Sequence, residues 1–289
     1  MIESKNSESG KKMSNEYDLV EKLNEYEFYH TIQLTDTIST NGVEFVFELT
    51  RMILDSMKNI DYKDKRVLDI GCRDGLFSFE AEKLGASEVI GIDNNISKGA
   101  VEFLIPFFKS NVKMYEENLF DLTPELYGLF DIVLFPGTLY HLRYPFWALK
   151  IVRNILKPDG IILLETAISY DHSNHSMLYC PVKNDSPYDP TSVSFFNEKG
   201  IIDTLNSMGF VIELIDHLNL NNKFKKTNNL LTKIKYAIKA LLFSDRLYEP
   251  RNIDRIIIHC RLSKKLDFQK LSQYWDSIHN NREGHTIIK

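Results

Sequence analysis

The rhythm of apolar and polar positions changes twice along the chain. Residues 16–28, EYDLVEKLNEYEF, set Val20, Leu23 and Tyr26 or Phe28 at helical spacing. An extended polar stretch, YHTIQLTDTISTNG, follows, and then a second helix over about 43–58 with Phe45, Leu49, Met52 and Ile53 on one side. From residue 66 the pattern switches to short apolar runs separated by amphipathic ones. RVLDIG has the continuous apolar character of a strand covered on both faces, and helix 76–85 after it ends at Gly85, a suitable C-cap. VIGID over 89–93, VKMYEEN over 112–118, DIVLFPG over 131–137 and IILLETAI over 161–168 repeat the strand signal. Between them fall helix 95–109, kinked near Pro106, and helix 145–157, closed by the turn Lys157-Pro158-Asp159-Gly160. Helix 197–208, strand 210–218 and strand 253–262 complete the series, the last two strands as an antiparallel hairpin at one edge.

Alternating strands and helices predict an α/β fold, a Rossmann-like seven-stranded, mostly parallel sheet with helices on both faces. The predicted organisation is a disordered tail over 1–15, an N-terminal helical lid or cap over 16–60, and a core over 61–218 and 251–263. A basic amphipathic insert over 219–250 precedes the last strand, and 264–289 form a C-terminal extension. The insert carries Lys223, Lys225, Lys226, Lys233, Lys235, Lys239 and Arg246 against Asp245 and Glu249. One helical face there gathers Leu230, Leu231, Ile234, Ala237, Ile238, Leu241 and Leu242. It suits a helix packed on the core, a membrane-surface contact through 228–243, or a contact with RNA phosphates, the first being the plainest account.

Composition narrows the picture modestly. A net charge of −5 over 289 residues supplies no general pull toward nucleic acid or anionic lipid. Cys72, Cys180 and Cys260 are too few and too scattered for a disulfide framework or a CxxC metal site, which fits a reducing cytoplasm. The first residues, MIESKNSESGKKMSNEY, lack an apolar core, so no secretory signal is expected, and no window approaches a membrane span.

Ligands of open α/β sheets sit outside the carboxyl ends of the strands. The first strand here ends VLDIGCRDG, where Gly71 and Gly75 let the backbone turn tightly beside a ligand. A dinucleotide turn needs G-x-G-x-x-G to seat a pyrophosphate on the helix N-terminus. This turn instead spaces its glycines by three residues and carries Asp69 and Asp74, which repel a pyrophosphate and suit a cationic ligand. Asp93 closes the second strand, where a carboxylate accepts both hydroxyls of a ribose.

VLDIGCRDG, IGID, DIVLFPGTLYHLRYP and LKPDGIILLET, in this order, resemble the class I S-adenosylmethionine (SAM)-dependent methyltransferases over roughly 66–168, and more loosely over 195–218. LYHLR-P with LLET, and FYHTIQL with the T-x-G of Thr40 to Gly42, are similar to the tRNA wobble-uridine carboxymethyltransferase family and its small-molecule and glycan O-methyltransferase relatives. The resemblance implies SAM as cofactor, with Asp69 and Gly71 along its methionine end, Asp93 at the ribose, and Cys72, Asp74, Gly75 and Asn94 as further cofactor-binding residues. It further implies Asn118 and Leu119 at the adenine and Gly137 beneath the methyl group. Asn118 stands where relatives often carry Asp. A basic set for a carboxylated SAM has no counterpart in QLTDTISTNG, so ordinary SAM is expected.

Methyl transfer to oxygen needs a positioned nucleophile and a place for its proton. His141, directly after the fourth strand, is the candidate base or substrate anchor, and the alternative is a histidine bonded to the sheet edge. Tyr140 is expected to hold the substrate oxygen or close over the cofactor, and Arg143 to pair with an acidic group or stand as a solvated charge. Tyr29 and His30 are lid candidates, while Phe195, Phe196 and Asn197 resemble the corner that shapes an acceptor pocket. Glu165 is a supporting residue or a partner of nearby backbone. Asp171, His172, His175 and Tyr179 lie in the long loop 169–196, and solvated histidines are the plainer reading there than a metal site. The expected activity is O-methylation of a small-molecule or carbohydrate hydroxyl, and the alternative is modification of a tRNA wobble uridine. The sequence leaves the oligomeric state open.

Overall fold

The computed structural model describes residues 17–169, 174–182, 185–218 and 253–265. The predicted tail 1–15, the insert 219–250, most of the C-terminal extension, Asp171 and His172 lie outside the described residues. The chain divides into two compact units, Met1–Leu122 with Ile132–Pro136, and Thr123–Asp131 with Gly137–Lys289.

The first unit is built on parallel strands. β1 (Arg66–Ile70) pairs with β2 (Glu88–Asp93) on one side and with β4 (Phe130–Pro136) on the other, and β2 pairs with β3 (Lys113–Glu116). Val67, Leu68 and Ile70 are buried on β1, as are Val89, Ile90 and Ile92 on β2 and Ile132–Phe135 on β4. Strands covered on both faces have no room for polar alternation, which is why each reads as an unbroken apolar run. The order β3-β2-β1-β4 reverses direction at β1, so the carboxyl ends of β1 and β4 flank a topological switch point.

The N-terminal segment packs into this unit. Residues 17–23 form helix α1, a 3-10 turn spans Glu44–Val46, and α2 covers Phe47–Met57. Leu23, Phe28, Ile32 and Ile38 join Phe103 and Leu104 in one apolar cluster. The inward face of α2 is Val46, Thr50, Ile53 and Met57, whereas Phe45 is 74% exposed. The expected stripe through Phe45 is therefore corrected, because the 3-10 turn at the start of this helix advances the phase. After β1, α3 (Leu76–Lys83) ends at a left-handed Gly85, as predicted. The expected helix 95–109 is a π-helical turn, Gly99–Leu104, followed by the short α4 (Ile105–Phe108). Pro106 sits in the first turn of α4, where a missing N–H costs nothing. A Cβ on Gly99 would lie 2.7 Å from the Phe28 ring, so glycine is what admits the N-terminal segment there.

In the second unit, α5 (Pro124–Tyr127) and α6 (Pro145–Ile155) precede β5 (Leu156–Ser169). β5 begins earlier than predicted. The turn-like Lys157-Pro158-Asp159-Gly160 is its irregular opening, with Asp159 at φ 71° and the Asp159 carbonyl accepting from Arg261 Nη1 at 3.0 Å. β9 (Ile253–Leu262) runs antiparallel to β5 and to β8 (Phe210–His217), the predicted hairpin. α7 (Glu198–Ser207) matches its predicted position. Two short strands went unpredicted: β6 (Leu178–Tyr179), antiparallel to β7 (Phe195–Asn197), which itself runs parallel to the end of β5. The α/β, mostly parallel architecture thus holds, with nine strands rather than seven among the described residues. No helix among those residues is long and apolar enough to cross a membrane.

Candidate functional site

In the first unit the loop from Gly71 to Gly75 turns back sharply because three of its five residues take positive φ: Gly71 at 78°, Arg73 at 50° and Gly75 at 81°. Gly71 and Cys72 donate their N–H groups to the Ile92 carbonyl at 2.8 and 3.0 Å, which fixes the loop to the end of β2. A Cβ on Gly75 would lie 2.0 Å from Met114 Cε, so a side chain there would also displace the end of that methionine. The Cys72 side chain is buried against Gly91, so any contact it makes with a ligand is through backbone.

The three acids of this region have different roles. Asp74, fully buried, accepts the Tyr29 N–H at 2.7 Å and the His30 N–H at 2.8 Å on Oδ2, and pairs with His30 Nδ1 through Oδ1. It is thus committed to the N-terminal segment, which corrects its assignment as a cofactor ligand. His30 is buried as well, edge-on to Phe77, and is a fixed clasp rather than a movable lid. Tyr29 shares that clasp through its backbone, and its ring is half-exposed.

Asp69 is also fully buried, and its Oδ2 accepts from Ser78 Oγ at 2.7 Å while Oδ1 has no hydrogen-bond partner. Burial pushes its carboxyl up to about 7, although the Ser78 hydroxyl opposes the shift. Asp93, at the end of β2, accepts the Arg73 N–H at 3.0 Å and the Asn95 N–H at 2.8 Å, one on each oxygen. Each oxygen keeps a further lone pair, the geometry that suits two neighbouring hydroxyls. Arg73, which sequence reasoning passed over, braces the region by donating from Nη1 to the Asn95 carbonyl at 2.7 Å. Asn94 is exposed beside Asp93. After β3, Asn118 caps the 3-10 turn Leu119–Asp121 by accepting the Phe120 N–H at 3.0 Å, and its side-chain amine remains as a donor; Leu119 is buried.

The second unit holds the remaining candidates. Gly137 takes φ 67° and donates its N–H to both the carbonyl and Oε2 of Glu165, each at 3.0 Å. Glu165 forms a bidentate pair with Arg255, Oε1 with Nε at 2.6 Å and Oε2 with Nη2 at 2.7 Å, and both side chains are buried. Arg255 donates from Nη1 to Tyr188 Oη at 2.9 Å and lies 4.5 Å from the centre of the Tyr140 ring. Tyr140 is buried, edge-on to Tyr188 and stacked with Phe195, and burial raises its phenol so that it stays protonated. Sequence reasoning missed Arg255; its one signal was an arginine interrupting the apolar run of the last strand.

His141 is half-buried, with its ring 4.1 Å from that of Tyr140, and Nδ1 faces Thr191 Oγ1 at 3.1 Å. Burial lowers its pKa, opposed by the Thr191 contact and the Asp189 charge. Arg143 contacts the carbonyls of Pro181 and Val193 at 3.3–3.4 Å, which ties it to the 181–193 segment rather than to an acidic substrate group. Asn197 is likewise structural: Oδ1 accepts from Gly200 N and Met177 N, and Nδ2 donates to the His175 carbonyl. It caps α7 and is corrected from a pocket residue to a cap. Phe195 packs with Tyr140, and Phe196 lies edge-on to Phe146. His175 and Tyr179 lie in the segment around β6.

A methyltransferase-domain family model matches residues 44–215, and the chain belongs to this family. The chain is 36% identical over 124 residues to the tRNA U34 carboxymethyltransferase of Helicobacter pylori (strain Shi470), covering 42% of this chain and 47% of the relative. It thus spans about half the length of the curated relatives it matches. Among solved structures, the N-terminal domain of EvdMO1, crystallised in the presence of S-adenosylhomocysteine and D-fucose, superposes with a TM-score of 0.58 at 16% identity, over 86% of this chain and 97% of that one. The O-methyltransferase of a trans-AT PKS multienzyme of Brevibacillus brevis, in complex with S-adenosyl-L-homocysteine, gives 0.51 at 16% identity, over 78% and 75%.

Proposed function

We propose that this chain is a SAM-dependent methyltransferase acting on a hydroxyl oxygen of a small-molecule or carbohydrate acceptor. The observation that carries the cofactor reading is the pair of acids at the strand ends. Asp69 presents a buried, unpartnered Oδ1, and Asp93 presents two oxygens with spare lone pairs, beside a glycine turn at the switch point. An unsatisfied buried acceptor costs about 1–3 kcal/mol, which a cationic group on the ligand recovers. SAM fits this donor-poor, acid-rich set: Asp69 suits its ammonium, Asp93 its ribose hydroxyls, and Asn118 with Leu119 its adenine. When bound, it supplies a methyl group already activated by a sulfonium.

The chain's own task is then to orient the acceptor and take its proton. His141 is the base, since burial keeps the imidazole neutral at physiological pH and a neutral ring accepts a proton. Tyr140, held over Arg255, offers a protonated phenol that orients the acceptor oxygen. The D-fucose present with one solved structural neighbour and the O-methyltransferase name of another favour such an acceptor. The tRNA reading is kept because of the identity to the U34 carboxymethyltransferases, which spans about half their length.

Calorimetric titration with SAM and, separately, NAD tests the cofactor. Saturable binding of SAM alone is expected, and binding of NAD alone would overturn the reading. Transfer of a labelled methyl group to a panel of sugars and to unmodified tRNA then separates the two acceptors. Label on the tRNA and on no small molecule would replace the first reading with the second.

A further inference from the structure

His141 belongs to a chain of hydrogen bonds that ends on a carboxylate. Thr191 Oγ1 lies 3.1 Å from His141 Nδ1 and 2.6 Å from Asp189 Oδ1. Asp189 also accepts the Thr191 N–H at 2.8 Å, the Ser192 N–H at 3.0 Å and the Ser192 hydroxyl. The segment carrying these residues is tied to the His141 turn itself. Val193 N and Ser194 N both donate to the Tyr140 carbonyl, and Ser194 Oγ donates to the Leu142 carbonyl at 2.8 Å.

Proton counting along this chain leaves one arrangement. Burial alone would raise the Asp189 carboxyl, but the Ser192 and Thr191 hydroxyls and the Thr191 N–H outweigh it and hold it below its ordinary value. Asp189 is therefore an acceptor only. A threonine hydroxyl owns one proton, and the shorter, charge-assisted contact to Asp189 takes it. Thr191 Oγ1 can then meet His141 only as an acceptor, so the imidazole proton sits on Nδ1.

We propose that Asp189 and Thr191 are positioning residues that lock His141 as its Nδ1–H tautomer and present the bare Nε2 to the acceptor's proton. The idea rests on the reading of His141 as base. When Nε2 takes the hydroxyl proton, the Nδ1 proton stays on its bond to Thr191 and the Thr191 proton on its bond to Asp189. No proton travels along the chain, and the Asp189 charge stabilises the imidazolium through one intervening hydroxyl. The other charged groups acting on His141 are Arg255 and Glu165, which largely offset each other as a bidentate pair.

The test is two-bond proton–nitrogen correlation NMR on the full chain labelled with [15N]histidine, with His141→Gln assigning the resonances. At a pH where the ring is neutral, wild type should show Nδ1 as the protonated nitrogen and Nε2 as the bare one. Thr191→Ser should retain that pattern, and Thr191→Val should lose it. Asp189→Ala should lose it, because the Thr191 hydroxyl then has no carboxylate to donate to and its proton is free for Nδ1, whereas Asp189→Asn should retain it, its amide oxygen taking the place of Oδ1, which accepts the Thr191 hydroxyl and both backbone N–H groups. A wild-type ring protonated on Nε2, or a pattern unchanged in Asp189→Ala, overturns the proposal, and the wild-type tautomer alone decides the matter if neither Thr191→Val nor Asp189→Ala folds. Turnover by His141→Gln separately tests the base, so a lock without catalysis and catalysis without a lock are told apart.

Discussion

Asp69→Asn isolates the cost of keeping a carboxyl group in the floor of the glycine turn. In the folded chain this group titrates at about 7, against an ordinary 3.8 in the unfolded chain, mainly because burial disfavours its charge. Below 3.8 both states hold the proton and the group is neutral toward folding. Between the two values the folded state alone holds it, so stability falls as pH rises, by about 1.4 kcal/mol per pH unit. Above 7 both states are ionised and the loss is complete, at about 4 kcal/mol. Asparagine keeps an acceptor for the Ser78 hydroxyl and carries no charge at any pH. The stability difference between variant and wild type should therefore be near zero at about pH 4, grow through about pH 5.5, and level off above 7. Urea unfolding of the ligand-free proteins measures it, and taking differences cancels the other titrating groups. A difference that stays flat across that range would refute the reasoning. The same ionisation should appear in binding. SAM affinity of wild type should rise up to tenfold per pH unit below 7, and that slope should vanish in Asp69→Asn.

Asp74→Ala strips the partners from two buried backbone N–H groups and the His30 ring. It should cost about 1–3 kcal/mol for each group left unsatisfied and speed limited proteolysis of 17–42, measured by digestion and chemical denaturation. Arg255→Met leaves Glu165 as an unpaired buried charge and should cost about 3–5 kcal/mol, while the double variant Glu165→Leu/Arg255→Met should recover much of it in thermal unfolding. Gly75→Ala forces a side chain into φ 81° and should lose about 1–2 kcal/mol, since the Met114 methyl in its path can move aside. Asp93→Ala strips the acceptor from the Arg73 and Asn95 N–H groups, so it should lower the unfolding midpoint and, at a temperature where the chain stays folded, weaken SAM binding by calorimetry; unchanged affinity would reject the ribose assignment.

What the sequence disclosed is the local and the periodic. β1, its glycine turn and α3 stand out because a strand buried on both faces leaves an unbroken apolar run and a tight turn demands glycine. The antiparallel pairing of β8 with β9 is legible because no core helix of the usual kind is predicted between them. What it concealed is pairing at a distance. Asp74 with His30 spans 44 residues and Glu165 with Arg255 spans 90, and nothing in local spacing announces either. Asp74 thus reads from the sequence as a ligand of the cofactor, while in space the Tyr29 and His30 N–H groups and the His30 ring occupy it. β6 and β7, of two and three residues, are too short for any period to register. Arg143 and Asn197 show the converse. Their residue types suit a pocket, yet backbone carbonyls and a helix start claim them first.

The Asp74 clasp makes the N-terminal segment a gauge of the glycine turn. The amide protons of Tyr29 and His30 rest on a carboxylate that shares its turn with Gly71 and Gly75, so their exchange with solvent reports the turn's opening equilibrium from 44 residues upstream. Thermodynamic reciprocity runs both ways: whatever steadies the turn slows that exchange, and whatever loosens the segment weakens what the turn holds by the same factor. A selection for altered ligand affinity would therefore recover changes around His30 and around Thr40, whose hydroxyl donates to the His30 carbonyl at 2.6 Å.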